Sequence, residues 1–379
     1  MSPTRAERHQ ARRERRRQVS ALAAVIVLLI LAAGIAVVAL SGNDGSSTDD
    51  ANHGRISATG APTRGAASTS SGASSTTTPA TTSPPTTTKA PPLDVERRYA
   101  VGTESVTFVD ASRSTSANGD FAGAPTRTFP TQIWYPATGD AGAALQSGAP
   151  PDRAHGPFPL VFFAHGYAVT PTFYEALIER WAAAGYVVAA PTFPILSGTP
   201  GGASHTDYEK TFDDASFVLG KVLGLVAPDP LAGVIDGTRV AATGHSDGEI
   251  TAFGVGFLRC CRDPRVKSVI AMAGDLSNIN NPIDAGNGVP ILHIMETNDE
   301  FDPYDHTIAW DRDNLSPPRW MFTLVEAGHA PPYTQANNPF FPMVSTVTID
   351  FLDGTLKGHR ERLDRIPTDV STDLARLER

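Results

Sequence analysis

The stretch Arg239-Val240-Ala241-Ala242-Thr243-Gly244-His245-Ser246-Asp247-Gly248 decides how this chain folds. Its first five residues are an apolar run suited to a buried strand, and directly behind them stands a serine with a glycine two residues away on each side. A strand-to-helix turn this sharp has room only for side-chain-free flanks, and it leaves the serine hydroxyl exposed. Residues 249–258 are apolar enough to form the helix that follows. The N-terminus of that helix then aims backbone N–H groups and a positive dipole end at Ser246, as stabilisation of an oxyanion requires. The pattern points to a serine nucleophile.

A serine hydroxyl is a weak nucleophile at neutral pH. It needs a base within hydrogen-bond reach and a carboxylate to hold that base's tautomer, and in this kind of fold the chain order is serine, acid, histidine. Downstream of Ser246, His293 lies inside the apolar run Val289-Pro290-Ile291-Leu292-His293-Ile294-Met295 and reads as a buried strand residue, while His306 and His359 sit in polar surroundings that read as helical. His329 differs. It follows the strand-like Met321-Phe322-Thr323-Leu324-Val325 and stands in a Gly/Pro loop before a last amphipathic helix, which makes it the candidate base.

The acid is expected to leave the strand ending at Met295, where Glu296, Asp299, Glu300, Asp302 and Asp305 crowd one loop. Asp299 is the candidate, with Asp302 the first alternative and Asp275, one strand earlier, the second. The acidic loop lacks the glycine and spacing of an EF-hand, so a calcium reading is set aside. A second oxyanion donor is expected after the apolar strand Pro159-Leu160-Val161-Phe162-Phe163-Ala164. There Gly166 lets the backbone turn close to the substrate, so the Tyr167 N–H is paired with the Asp247 N–H, and His165 is read as a loop-organising residue.

Together, residues 235–246, the His165-Gly166-Tyr167 turn and Asn298-Asp299 with Pro303 resemble the α/β-hydrolase superfamily. Within it the chain is most similar to the chlorophyllase, platelet-activating-factor acetylhydrolase and bacterial cutinase-like group, from about residue 103 to the C-terminus. The resemblance implies Ser246 as nucleophile, Asp299 as acid, His329 as base, and Tyr167 with Asp247 as main-chain oxyanion donors. Cutinase-like polyester hydrolases tend to carry methionine after the serine and tryptophan past the next strand. This chain has Asp247 and Met272-Ala273-Gly274-Asp275-Leu276 there, a departure that leaves polyester turnover open.

The rest of the domain alternates β and α. Residues 106–109 and 131–135 read as early antiparallel strands, residues 173–184 as a helix stopped by Gly185, residues 186–190 as a strand and residues 208–225 as a helix. A mostly parallel sheet covered on both faces follows, an α/β class, with every candidate group just past a strand end. Residues 194–205, rich in Gly, Ser and Pro, read as a surface loop bordering the pocket. Trp181, Trp310 and Trp320 read as packing residues rather than substrate clamps.

Four segments divide the chain: a basic tail (1–20), an apolar span (21–40), a Ser/Thr/Pro-rich linker (41–93) and the catalytic domain (94–379). The tail carries seven arginines against two glutamates. Twenty uncharged residues at about 1.5 Å each cross a hydrocarbon core of about 30 Å, and the arginines stay in the cytoplasm. The domain is therefore expected outside a cell membrane, with secretion after signal cleavage as the alternative. The linker is too poor in apolar surface to pack a core, and as a flexible coil of about fifty residues it gives a reach of roughly 40 Å. The formal net charge of −9 argues against nucleic acid as a partner. No phosphate cradle or metal-ligand spacing stands out, and the chemistry needs no cofactor. Oligomeric state is left open. Cys260 and Cys261, the two cysteines, are read first as free thiols packed at a helix end, with a vicinal pair or an intermolecular link as alternatives.

The expectation is a membrane-anchored extracytoplasmic serine esterase acting on a small-molecule or lipid ester. The alternatives are acyl transfer to a cell-wall or lipid alcohol by the same triad, and a non-catalytic wall-binding or adaptor domain.

Overall fold

The computed structural model describes residues 98–279, 281–369 and 373–379. The tail, apolar span and linker expected over 1–93 lie outside the described residues. Among the described residues, no helix is long and apolar enough to cross a membrane.

In chain order the elements are β1 (Ala100–Asp110), β2 (Arg127–Ala137), β3 (Gln146–Ser147), β4 (Phe158–Ala164), α1 (Glu175–Ala183), β5 (Val187–Pro191), α2 (Thr211–Leu223), β6 (Ile235–His245), α3 (Asp247–Phe257), β7 (Val266–Met272), β8 (Ile291–Glu296), α4 (Tyr304–Asn314), β9 (Arg319–Leu324), α5 (Phe341–Leu356), α6 (Arg360–Asp369) and β10 (Ala375–Glu378). One sheet runs in the order β10-β9-β8-β7-β6-β4-β5-β2-β1-β3. Strands β5, β4, β6, β7, β8 and β9 are parallel to their neighbours within that block. The β1–β2 hairpin joins one side through an antiparallel β2–β5 pair, and β10 closes the other side antiparallel to β9.

Strand β4 shows why the sheet is covered twice. All seven of its residues are buried, as a strand packed on both faces requires. Side chains alternate along a strand, so Val161 and Phe163 face one layer while Leu160, Phe162 and Ala164 face the other. Val161 and Phe163 pack with Trp181 of α1 and with Val344 and Phe351 of α5. Leu160 and Phe162 pack with Val218 and Leu219 of α2 and Phe253 of α3. Truncating a core aromatic such as Phe162 to alanine costs roughly 3–5 kcal/mol in sites of this kind.

The element boundaries differ from the sequence reading mainly at helix starts. A 3-10 turn, Pro171–Tyr174, precedes α1, and another, Tyr208–Lys210, precedes α2. Gly185, with φ +96°, ends the α1 segment in a conformation that glycine adopts without strain. His359 falls in the connection between α5 and α6 rather than in a helix, whereas His306 lies in α4. The Cys260–Cys261 reading is corrected. The turn that ends α3 brings the two sulfurs into bonding contact as a vicinal disulfide, with an S–S distance of 2.12 Å, so they are not free thiols. The tryptophans pack as expected: Trp181 is fully buried and donates to the Thr348 hydroxyl at 3.0 Å, Trp320 meets Phe351, and Trp310 meets Phe253.

Candidate active site

Ser246 sits at φ 58°, ψ −128°, between the end of β6 and the first turn of α3. A non-glycine residue in that region is strained and persists only where its surroundings fix it. Both flanking glycines are required. A Cβ on Gly244 would lie 2.0 Å from the Gly248 carbonyl oxygen, and one on Gly248 would lie 2.1 Å from the Ala164 oxygen. The Ser246 N–H donates to the Met272 carbonyl at 2.8 Å, which ties the elbow to the end of β7.

Asp299 and His329, thirty residues apart, are brought together by the loops after β8 and β9. Asp299 Oδ2 lies 2.7 Å from His329 Nδ1. Asp299 Oδ1 accepts the N–H groups of Phe301 at 2.7 Å and Asp302 at 3.0 Å, so the carboxylate cannot rotate away. This pairing puts the ring proton on Nδ1 and leaves Nε2 as the acceptor that a general base needs. Burial disfavours the charged imidazole, but the Asp299 hydrogen bond and charge outweigh it and raise the His329 pKa above its ordinary 6.5. Burial likewise opposes ionisation of Asp299, yet the bond to His329 and its charge hold that carboxyl below its usual range. Each partner stabilises the other's charged form.

A hydrogen-bond chain stitches three loops into one site. The Gly166 N–H donates to the Tyr174 hydroxyl at 3.3 Å, and that hydroxyl meets His245 Nδ1 at 2.9 Å. His245 Nε2 in turn lies 2.9 Å from the His329 carbonyl oxygen. Burial, then the neighbouring His329 charge, push the His245 pKa down to about 3, so the ring stays neutral and can accept at Nδ1 while donating at Nε2. The turn after β4, the residue before the nucleophile and the loop of the base thereby share one frame. Ordinary sequence patterns give no sign of this role for His245, because its partners are a distant hydroxyl and a distant backbone carbonyl.

The turn after β4 presses against the elbow. A Cβ on Gly166 would lie 3.1 Å from Ser246 Cβ, so the Tyr167 backbone follows a segment in contact with the nucleophile. Asp247 is the first residue of α3, where the N–H has no intrahelical acceptor. His165 organises its loop as expected: Nδ1 lies 2.8 Å from the Gly166 oxygen, Nε2 accepts the Phe193 N–H at 3.0 Å, and burial lowers its pKa to about 4.

Among the described residues, the alternative acids make no hydrogen bond to the His329 ring. Asp275 caps the turn Leu276–Asn278 by accepting the Ser277 N–H at 2.9 Å. Asp302 has an oxygen within 4.8 Å of an Asp299 oxygen and a His329 nitrogen, a trio of the kind that holds a metal ion, but His329 and Asp299 are already committed to each other. Burial raises the Asp302 carboxyl to about 8. Glu296 ends β8 fully buried, bonded to the Tyr333 hydroxyl, and burial raises its pKa well above the usual range.

His293 is a buried strand residue, as its apolar context indicates, but it also anchors a charged network that the sequence conceals. Nε2 lies 3.1 Å from Glu249 Oε1 and Nδ1 lies 2.5 Å from Asp311 Oδ2, with all three side chains fully buried. Burial opposes its charge, yet the two carboxylates raise its pKa well above 6.5. These are ion-pair contacts rather than aligned hydrogen bonds. Glu249 Oε2 also accepts the Gly274 N–H at 2.7 Å. The network therefore braces α3 against β8 and α4.

Comparison with known proteins agrees with this architecture. The family described as Chlorophyllase matches residues 147–273, a segment that contains Tyr167, Ser246 and Asp247 and stops before Asp299 and His329. Among solved structures, a ferulic acid esterase from Streptomyces cinnamoneus superimposes with a TM-score of 0.54 at 21% identity, covering 69% of this chain and 92% of that one. No curated protein sequence matches significantly.

Proposed function

We propose that this chain is a serine-dependent carboxylic ester hydrolase of the α/β-hydrolase superfamily, anchored to the outer face of a membrane; the family match and the shared fold support the superfamily. One observation carries the chemistry: His329, paired with Asp299 at 2.7 Å, sits on a loop that is itself bonded to the residue preceding a strained, glycine-flanked Ser246. The Chlorophyllase match and the ferulic acid esterase likeness support an ester as the substrate class.

In this reading His329 Nε2 takes the Ser246 proton as Oγ attacks the ester carbonyl. The N–H groups of Tyr167 and Asp247 receive the oxyanion, each such donor contributing roughly 3 kcal/mol to the transition state. His329 then protonates the leaving alcohol oxygen; a water that gives its proton to His329 attacks the acyl-enzyme, and His329 returns that proton to Ser246 Oγ as the acid is released. Asp299 orients the ring and stabilises the imidazolium. Turnover of a p-nitrophenyl short-chain ester tests the mechanism. Wild-type protein is expected to be active and Ser246→Ala inactive with an unchanged melting temperature; equal activity in the two overturns it.

The membrane anchor rests on the seven arginines before an uncharged apolar run over 21–40. Full-length protein is expected in the membrane fraction, with its catalytic domain open to protease added outside the cell. Recovery in the soluble cytoplasmic fraction overturns the anchor and leaves the esterase reading intact.

A further inference from the structure

The two residues proposed as main-chain oxyanion donors hold one side chain between them. The Tyr167 ring stacks on the His205 imidazole with centroids 4.6 Å apart and planes 13° from parallel. On the other side, His205 Nε2 lies 2.6 Å from Asp247 Oδ2. Tyr208 adds a third contact to the half-exposed His205, with its ring edge-on at 5.6 Å and its hydroxyl donating to the Asp247 carbonyl at 2.9 Å.

His205 belongs to a firmly fastened strap, residues 192–207, that connects β5 to the turn before α2. Asn118 Nδ2 donates to the Pro200 and Gly202 carbonyls at 3.0 and 2.7 Å, and the Tyr167 hydroxyl donates to the Ala203 carbonyl at 2.8 Å. Two residues past His205, Asp207 pairs with the fully buried Arg127 at 2.5 Å and accepts the Ser116 N–H at 3.0 Å. Arg127 is held in turn by Asp214 of α2. The strap is thus tied to the β1–β2 connection, to β2 and to α2, none of which carries the triad.

Tyr167 and Asp247 sit on different loops, one after β4 and one after β6, so the spacing of their N–H groups depends on what joins those loops. We infer that His205 is a positioning residue which, clamped between the Tyr167 ring and the Asp247 carboxylate, fixes the separation of the two oxyanion donors. The inference rests on the esterase reading above and deepens it. No hydrogen bond, ion pair or ring contact joins His205 to Ser246 or His329, so its effect falls on the oxyanion and not on proton transfer.

Sulfur accepts N–H hydrogen bonds far more weakly than oxygen and is larger. A matched pair of p-nitrophenyl acetate and its thiono counterpart therefore reports on the oxyanion site separately from the amount of folded enzyme. For His205→Ala, kcat on the oxygen ester is expected to fall at least roughly 10-fold with KM within about two-fold of wild type, because loosened donors act in the transition state rather than in ground-state binding. The oxygen-to-sulfur rate ratio is expected to fall by a similar factor. His205→Gln, which keeps a donor toward Asp247, should recover part of that ratio. Equal losses on both substrates, or activity within about two-fold of wild type, overturn the role of His205. Wild-type protein inert toward both esters and toward a fluorophosphonate overturns the esterase reading itself and the inference with it.

Discussion

His245 donates through Nε2 to the main-chain carbonyl of His329 at 2.9 Å, with the two rings 4.7 Å apart. The residue preceding the nucleophile therefore grips the backbone of the base and leaves the His329 ring to Asp299. Because the same His245 ring takes the Tyr174 hydroxyl at Nδ1, its position is fixed from both ends.

Replacing His245 by alanine removes that grip. A base displaced by about 1 Å can cost on the order of 100-fold in rate, and His245→Ala is expected to lower kcat/KM by roughly 10- to 100-fold. Steady-state kinetics beside a melting curve checks this. Activity equal to wild type contradicts the bracing role.

The acid limb of the pH–rate profile follows from His329. The base works only when neutral, and Asp299 raises its pKa above 6.5, so kcat/KM in the free enzyme is expected to rise with pH through a midpoint above that value. Stability runs the opposite way. A raised histidine pKa contributes stability that is complete below the unfolded value of about 6.5 and is lost as pH rises through the folded value. Asp299, with its lowered pKa, contributes stability above its unfolded value that is lost as pH falls through the folded one. Asp299→Asn removes the bond and charge that hold His329 up, so any residual activity should show its acid limb shifted to lower pH. An unmoved limb contradicts the pairing.

The buried Glu249–His293–Asp311 network predicts a stability effect of its own. Removing one partner of a buried ion cluster leaves uncompensated charge, at a cost of roughly 3–5 kcal/mol. His293→Leu is expected to lose that much in urea denaturation, and a loss below about 1 kcal/mol contradicts a charged His293.

Much of this site was legible in the sequence, and the reason is geometric. Ser246, Asp299 and His329 each follow an apolar run, and in an open parallel sheet strand ends converge at one edge. Gly244 and Gly248 were legible because a Cβ at either would strike a carbonyl oxygen at 2.0 or 2.1 Å, a constraint that leaves a trace in residue type. Strand β10 was not legible: Ala375–Glu378 is four residues long with mixed polarity, and only its pairing with β9 makes it a strand. Residues 194–205 read as a surface loop because Gly, Ser and Pro signal irregular backbone and say nothing of partners. His205 acquires its place from Tyr167 and Asp247, far away in the chain, and no local spacing encodes that. The vicinal disulfide stood only as an alternative to free thiols, since adjacent cysteines leave the choice between thiols and a bond to the turn that contains them.

The central claim is that Ser246 is made reactive by His329, and covalent labelling reads it directly. Wild-type protein is treated with a fluorophosphonate and the modified peptide is identified by mass spectrometry, beside His329→Ala. The account predicts a single adduct on Ser246 whose formation is greatly slowed in the His329 variant. An adduct on another residue, no adduct at all, or labelling at an equal rate without the imidazole contradicts it.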